Sequence, residues 1–196
     1  MKKYLEWGKE VLSEEARAIS SLEARLGDEF AEAVKLVRSC RGKVIVSGLG
    51  KSGHVGKKIA ASLASLATPS FFMHSTETLH GDAGMMEPRD VLIAISNSGS
   101  TAEVVSAAQI AKSYGLKVIA MTGNKNSPLG KTADVWLDIG IDKEADPLDL
   151  APTSSSTVTL ALGDALAVAV ARSKDFKKSD FAYRHPGGAL GKKSKK

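Results

Sequence analysis

Within six residues, Ser96-Asn97-Ser98-Gly99-Ser100-Thr101 gathers four hydroxyls, one amide and a glycine directly ahead of a stretch with helical periodicity. Hydroxyls beside the unpaired N–H groups of a helix start make a neutral cradle suited to phosphate. A simple helix cap by Ser100 or Thr101 would account for one of these hydroxyls and leave the cluster unexplained. Glu103 follows in the first turn, where the helix dipole favours its anionic form whether or not it does chemistry.

A second candidate loop is Gly48-Leu49-Gly50-Lys51-Ser52-Gly53. Its letters fit the G-x-G-x-x-G of dinucleotide folds, but a nicotinamide site also wants an acid at the end of the next strand. That strand reads Phe71-Phe72-Met73-His74-Ser75-Thr76, and Glu77 comes late. Gly50-Lys51-Ser52 also resembles the end of a P-loop, yet Ile45 stands where the first P-loop glycine belongs. What remains is a tight glycine turn with backbone donors and one cation, Lys51, at its apex, which suits a small anion.

Two further segments lie downstream. Lys143 to Thr157 is a long loop carrying Glu144, Asp146 and Asp149 that ends in the hydroxyl-rich helix start Thr153-Ser154-Ser155-Ser156-Thr157. Tyr183-Arg184-His185-Pro186-Gly187-Gly188 places a histidine beside proline and paired glycines; a lone histidine of this kind is ordinarily a surface residue.

These loops need a scaffold that brings them together. Short β-branched or apolar runs at 43–47, 70–74, 91–96, 117–122 and 134–139 alternate with helical stretches near 53–65, 101–113 and 155–173. Alternation at this spacing predicts an α/β fold, a three-layer αβα sandwich around a five-stranded parallel sheet, since parallel strands need crossover connections. Ligands in such sheets sit beyond the carboxyl ends of the strands, where the loops above fall. Two helices precede the sheet. In the first, Leu5, Leu12, Ile19 and Leu26 recur every seven residues beside Leu22. That stripe can lie on the domain's own core or on another subunit, and its period alone leaves both open.

The 196 residues, 43% of them hydrophobic, suit one globular domain, expected to occupy 1–191 with a basic tail at 192–196. The net charge of +5 suggests a polyanion partner at first sight, but without six terminal lysines 21 basic residues stand against 22 acidic ones. Nucleic acid is therefore not an expected partner. One cysteine, Cys40, excludes an internal disulfide. The amino terminus turns charged too soon for a signal peptide, and the apolar run from Val158 to Ala171 contains Asp164 and falls short of the roughly 20 residues that span a bilayer. No membrane partner is expected, and the cytoplasm is the expected location.

Taken together, Gly48 to Gly53, Leu79-His80-Gly81-Asp82, Ser96 to Thr101, Leu150 to Thr157 with Gly163 to Ala167, and Arg184 to Gly191 resemble the arabinose 5-phosphate isomerases of the sugar isomerase (SIS) fold over nearly the whole chain. The resemblance implies interconversion of D-ribulose 5-phosphate and D-arabinose 5-phosphate, a step toward the sugar acid Kdo of lipopolysaccharide and some capsules. It implies a flavodoxin-like sheet, a homotetramer with active sites shared between subunits, and no cofactor. The family's functional polar residues carry over to Lys51, Glu103, Glu144 and His185. Substrate contacts are expected from Ser52, His80, Ser96, Asn97, Ser98, Thr101 and Thr153. Family members usually continue into a pair of CBS domains, so a sequence stopping at Lys196 resembles the single-domain form.

Moving a carbonyl between C1 and C2 requires ring opening, removal of a carbon-bound proton, stabilisation of an enediolate and return of the proton. A carboxylate raised in pKa by partial burial can carry that proton, and both Glu144 and Glu103 qualify. The working expectation is Glu144 as carbon base, Lys51 opposite the enediolate oxygen, His185 in ring opening or O1/O2 proton exchange, and Glu103 in support. No metal is expected: a metal route would need His54, His74 and His80 brought together, and an enediolate can be stabilised without one. The competing functions are a non-catalytic phosphosugar-binding regulator of the same fold and an isomerase acting on a hexose phosphate.

Overall fold

The computed structural model describes residues 1–187, Gly191 and Lys193; expectations that fall on Gly188 to Leu190 and on the rest of the basic tail lie outside the described residues. Five parallel strands, β1 (Val44–Gly48), β2 (Ser70–His74), β3 (Val91–Ile95), β4 (Lys117–Thr122) and β5 (Val135–Asp138), form one sheet in the order β2-β1-β3-β4-β5. Every pairing is parallel, with Val44 opposite Ser70 and Val91, Val91 opposite Lys117, and Ile119 opposite Val135. The central strands β1 and β3 are buried along their full length, as strands covered on both faces must be.

The period-two alternation of the strands divides the core into two layers. Val44, Val46, Ile93, Ile95, Ile119 and Met121 point to one face, where α1 (Lys2–Arg25), α2 (Asp28–Ser39), α3 (Gly50–Ser65) and α7 (Ser154–Ser173) contribute Leu22, Val37, Ile59 and Leu162. Ile45, Leu92, Ala94, Val118 and Ala120 point to the other, covered by Val104, Ala108 and Ala111 of α5 (Ala102–Ser113) and Leu129 of α6 (Pro128–Thr132). The short α4 (Ser75–Thr78) and α8 (Lys178–Arg184) complete the chain. The three-layer αβα architecture and all five strands fall where the sequence placed them.

Two features refine the sequence reading. Helix α7 is 20 residues long and apolar enough to span a bilayer by length and composition, longer than the uninterrupted apolar run suggested. Its packing identifies it as a core helix: Val158, Leu162, Leu166 and Val170 are essentially inaccessible beneath the sheet. Helix α1 resolves the two readings of its stripe in this chain. Leu5 and Leu12 are 67% and 69% exposed and Ile19 and Leu26 are also exposed, whereas Leu22 alone on that helix is buried. The heptad stripe therefore does not lie on the domain's own core.

Replacing Leu22 by Ala is expected to lower unfolding stability in urea by about 2–5 kcal/mol. Leu12→Ala, at an exposed position, should cost much less of the subunit's own stability; equal losses would contradict this division of α1.

Candidate active site

A 2-1-3-4-5 strand order reverses direction between β1 and β3, and the crevice there is where ligands enter such sheets. The loops leaving these two strands are the first glycine turn and the serine loop. A cavity of about 500 Å³ opens between them, walled by Ser52, Ser96, Asn97, Ser98 and Thr101 on one side and by the 141–155 segment on the other.

The serine loop is held open by its surroundings. Gly99 adopts φ +67°, and a Cβ there would stand 2.0 Å from Ser127 Oγ and 2.6 Å from Thr122 Oγ1, so no other residue fits. The N–H of Gly99 donates to Ser96 Oγ at 3.1 Å, and the Thr122 hydroxyl donates to the Asn97 carbonyl at 3.2 Å. Thr101 stands at the N-cap of α5, yet its side chain makes no capping bond. Its hydroxyl pairs instead with Ser96 Oγ at 2.9 Å. The simple capping explanation for this hydroxyl is thereby removed, and the first amides of α5 are left without a side-chain acceptor.

Across the cavity, Glu144 is tied to the start of α7. Its Oε2 accepts the N–H of Thr153 at 2.8 Å, the Thr153 hydroxyl at 3.1 Å and the N–H of Ser155 at 3.1 Å, while Oε1 accepts the Ser155 hydroxyl. Burial alone pushes this carboxyl up, but the bonds from Ser155 and Thr153 outweigh it and hold the group below its ordinary 4.5. This corrects the expectation of a raised carboxylate: the hydrogen bonds to the ionised form win over desolvation. Thr153 is corrected likewise. Its hydroxyl donates to Glu144 and accepts the N–H of Ala145 at 2.8 Å, so it is engaged in building the loop and does not join the phosphate cradle.

The loop around Glu144 is braced by two more acids. Asp146 accepts the N–H groups of Leu148, Leu150 and Ala151, bonds that hold its carboxyl below the usual range. Asp149 adopts φ +54° and accepts the N–H of Glu144 at 2.6 Å. Helix α1 braces the same segment from outside, with Arg25 reaching Asp138 at 3.1 Å and the Gly140 carbonyl at 2.6 Å, and Glu14 reaching Lys143 at 3.6 Å.

The other expected residues are placed less closely. Lys51 is exposed at the start of α3, one residue from Ser52, and Glu103 follows two residues after Thr101; both flank the cavity without forming its wall. His80 is exposed in the turn after α4. His185 follows α8, whose Arg184 lines a different cavity with Lys43, Pro69 and Ser70 at the amino ends of β1 and β2. Neither Arg184 nor His185 is among the walls of the cavity that holds Glu144. The ring of His185 stacks on Phe181 at 3.8 Å, and its Nδ1 lies 2.9 Å from the Phe181 carbonyl. A carbonyl can only accept, so Nδ1 is the donor in this contact. Among the described residues, no three His, Cys, Asp or Glu side chains form a metal-holding group.

Residues 37–169 match the family model of the SIS domain. The chain belongs to the SIS domain family. Among relatives of this SIS domain, the arabinose 5-phosphate isomerase KdsD of Pseudomonas aeruginosa is 56% identical over 179 residues, 91% of this chain and 55% of its own length. The arabinose 5-phosphate isomerase GutQ of Escherichia coli K12 is 50% identical over 184 residues, 94% of this chain and 57% of its own. The chain thus spans little more than half the length of these isomerases. A solved structure, that of E. coli CFT073 c3406 in complex with arabinose 5-phosphate, superposes with a TM-score of 0.91 at 42% identity, covering 94% of this chain and 98% of that one.

Sequence reasoning singled out the loop from Lys143 to Thr157 and the hydroxyls of its helix start but gave no site role to Asp142, Lys143, Asp149 or Leu150, all of which wall the cavity. The signal for Asp149 was an acid in a loop position needing positive φ, which aspartate tolerates better than most residues. Lys143 and Asp142 carried no local pattern, and they are brought in by the path of the chain after β5.

Two outcomes follow. Gly99→Ala should abolish protection by inorganic phosphate in a thermal melt, because the left-handed conformation and the Ser127 contact both oppose a side chain. For Glu144, a depressed carboxyl stabilises the fold above its unfolded pKa near 4.5, and that contribution disappears as pH falls through the lower folded value. Wild-type protein should therefore lose more stability than Glu144→Gln below pH 4.5, measured by urea unfolding across pH; parallel curves would refute the assignment.

Proposed function

We propose that this SIS domain is an aldose–ketose isomerase that interconverts D-ribulose 5-phosphate and D-arabinose 5-phosphate, in the cytoplasm and on the route to Kdo. The observation that carries the proposal is a cavity that sets a hydroxyl and amide cradle opposite an ionised, hydrogen-bonded carboxylate. The names of the isomerase relatives, and the arabinose 5-phosphate bound by the 42%-identical structure, support the choice of pentose phosphate.

In this reading the phosphate rests on Ser96, Asn97, Ser98 and Thr101 with Ser52 nearby, and that binding positions the carbonyl end toward Glu144. Oε1 of Glu144 accepts one bond where Oε2 accepts three, so Oε1 keeps a lone pair for the carbon-bound proton. A carboxylate of lowered pKa is a weaker base, but it is fully ionised at neutral pH and needs no activating partner. Lys51 and Glu103, at the cavity's rim, neutralise and orient the enediolate oxygens. Among the described residues, His185 is not one of the walls of the cavity that holds Glu144. We assign it to the cavity of a second copy, with Nε2 available for ring opening, and the exposed α1 stripe supplies an apolar surface for such an assembly, expected to be a tetramer.

Purified protein incubated with ribulose 5-phosphate, with and without chelator, should accumulate the aldose at equal rates; no aldose would overturn the assignment. Glu144→Gln should suppress exchange of solvent deuterium into C2. With Glu144 as the base, activity should fall on the acid side only below about pH 4.5. An acid limb between 6 and 7 would move the base to another group.

A further inference from the structure

The cavity poses an electrostatic difficulty for a phosphate ester. Among the described residues of its wall, Asp142, Glu144 and Asp149 are acids and Lys143 is the one base. A phosphate monoester brings about 1.5 to 2 negative charges near neutral pH. The serine cradle is neutral, and the start of α5 offers about half a positive charge. Lys51 stands at the rim, so within the wall itself Lys143 is the cation that can meet the phosphate.

Lys143 is placed for that task. It belongs to the walls of two neighbouring cavities, the one that holds the serine cradle and another of about 790 Å³ between the same loop and α1. Here it faces α1 and pairs with Glu14 at 3.6 Å, with more than half of its side chain in solvent. Glu14 is mostly covered and also bonds Arg17, one turn further along α1, so it keeps a cationic partner if the lysine departs. An exposed lysine pair is weak and easily exchanged. A dianion in a cavity partly closed to water is the stronger competitor.

We propose that Lys143 is the phosphate-binding cation of this site, exchanging Glu14 for the phosphate of the incoming substrate. The proposal rests on the phosphosugar reading for the identity of the ligand, while the role of the lysine can be tested with phosphate alone.

The experiment compares wild type, Lys143→Met, Lys143→Arg and Glu14→Gln, each checked for folding by circular dichroism. Lys143→Met should raise KM for ribulose 5-phosphate about tenfold or more with a smaller change in kcat. It should raise the inhibition constant of inorganic phosphate by a similar factor and flatten the salt dependence of kcat/KM. Lys143→Arg should recover most of the loss, and Glu14→Gln should leave KM unchanged or lower it. An unaltered KM and inhibition constant, or a fall in kcat at constant KM, would overturn the proposal; so would a KM in Glu14→Gln as high as in Lys143→Met, because the ion pair itself would then be what serves. If ribulose 5-phosphate is not turned over at all, the isomerase reading fails by itself. The thermal stabilisation given by inorganic phosphate then decides for Lys143: its loss in Lys143→Met supports the assignment, and its retention refutes it.

Discussion

A single carboxylate organises one whole side of the cavity. Glu144 takes the free N–H groups at the start of α7, which otherwise has no side-chain cap of its own, and in doing so anchors the segment that runs from β5 to that helix. Anion and helix dipole favour each other. The arrangement fixes the position of Glu144 to within a hydrogen bond and favours its ionised form, both useful in the role proposed for it. The same bonds lower its basicity, so in this site placement is favoured over proton affinity.

The sheet decides which loops can meet Glu144. Because β1 and β3 are neighbours while their following helices lie on opposite faces, α3 and α5 start on either side of a crevice. Glycines permit the tight exits: Gly50 at φ +56° opens α3, and Gly99 at φ +67° folds the serine loop under Ser127. Strand β5 then delivers the acidic loop from the far side. Arg25 of α1, gripping the Gly140 carbonyl, holds the point where that loop leaves the sheet.

The sheet and the serine cradle were legible in the sequence for the same reason: each is a local pattern. Five short β-branched or apolar runs declare themselves by composition, and Ser96 to Thr101 by density of hydroxyls next to a helix start. What escaped was set by contacts between distant segments. Nothing near Thr153 announces that its hydroxyl faces Glu144, and the hydroxyl-rich stretch there reads as a further source of substrate contacts. The direction of the Glu144 pKa escaped for a related reason. Burial can be guessed from sequence, whereas four donors converging on one carboxylate depend on a turn closed by Asp146 and Asp149. The α1 stripe was visible as a heptad, but only its exposure in the folded chain separates a core face from an outward one.

His185 and α1 bear on the same question from opposite ends of the chain. The ring of His185 stacks on Phe181 and its Nδ1 donates to the Phe181 carbonyl. Yet His185 is not among the walls of the cavity that holds the serine cradle and Glu144, and its neighbour Arg184 lines a different one. A row of leucines and isoleucine spaced for helix pairing points into solvent on α1. If copies associate through α1, the same association moves the braces Glu14 and Arg25, which join that helix to the acidic loop, into the neighbourhood of an interface. The geometry of Glu144 would then answer to the state of the assembly, and dilution to the subunit would weaken the proposed activity even where the fold of each chain is kept.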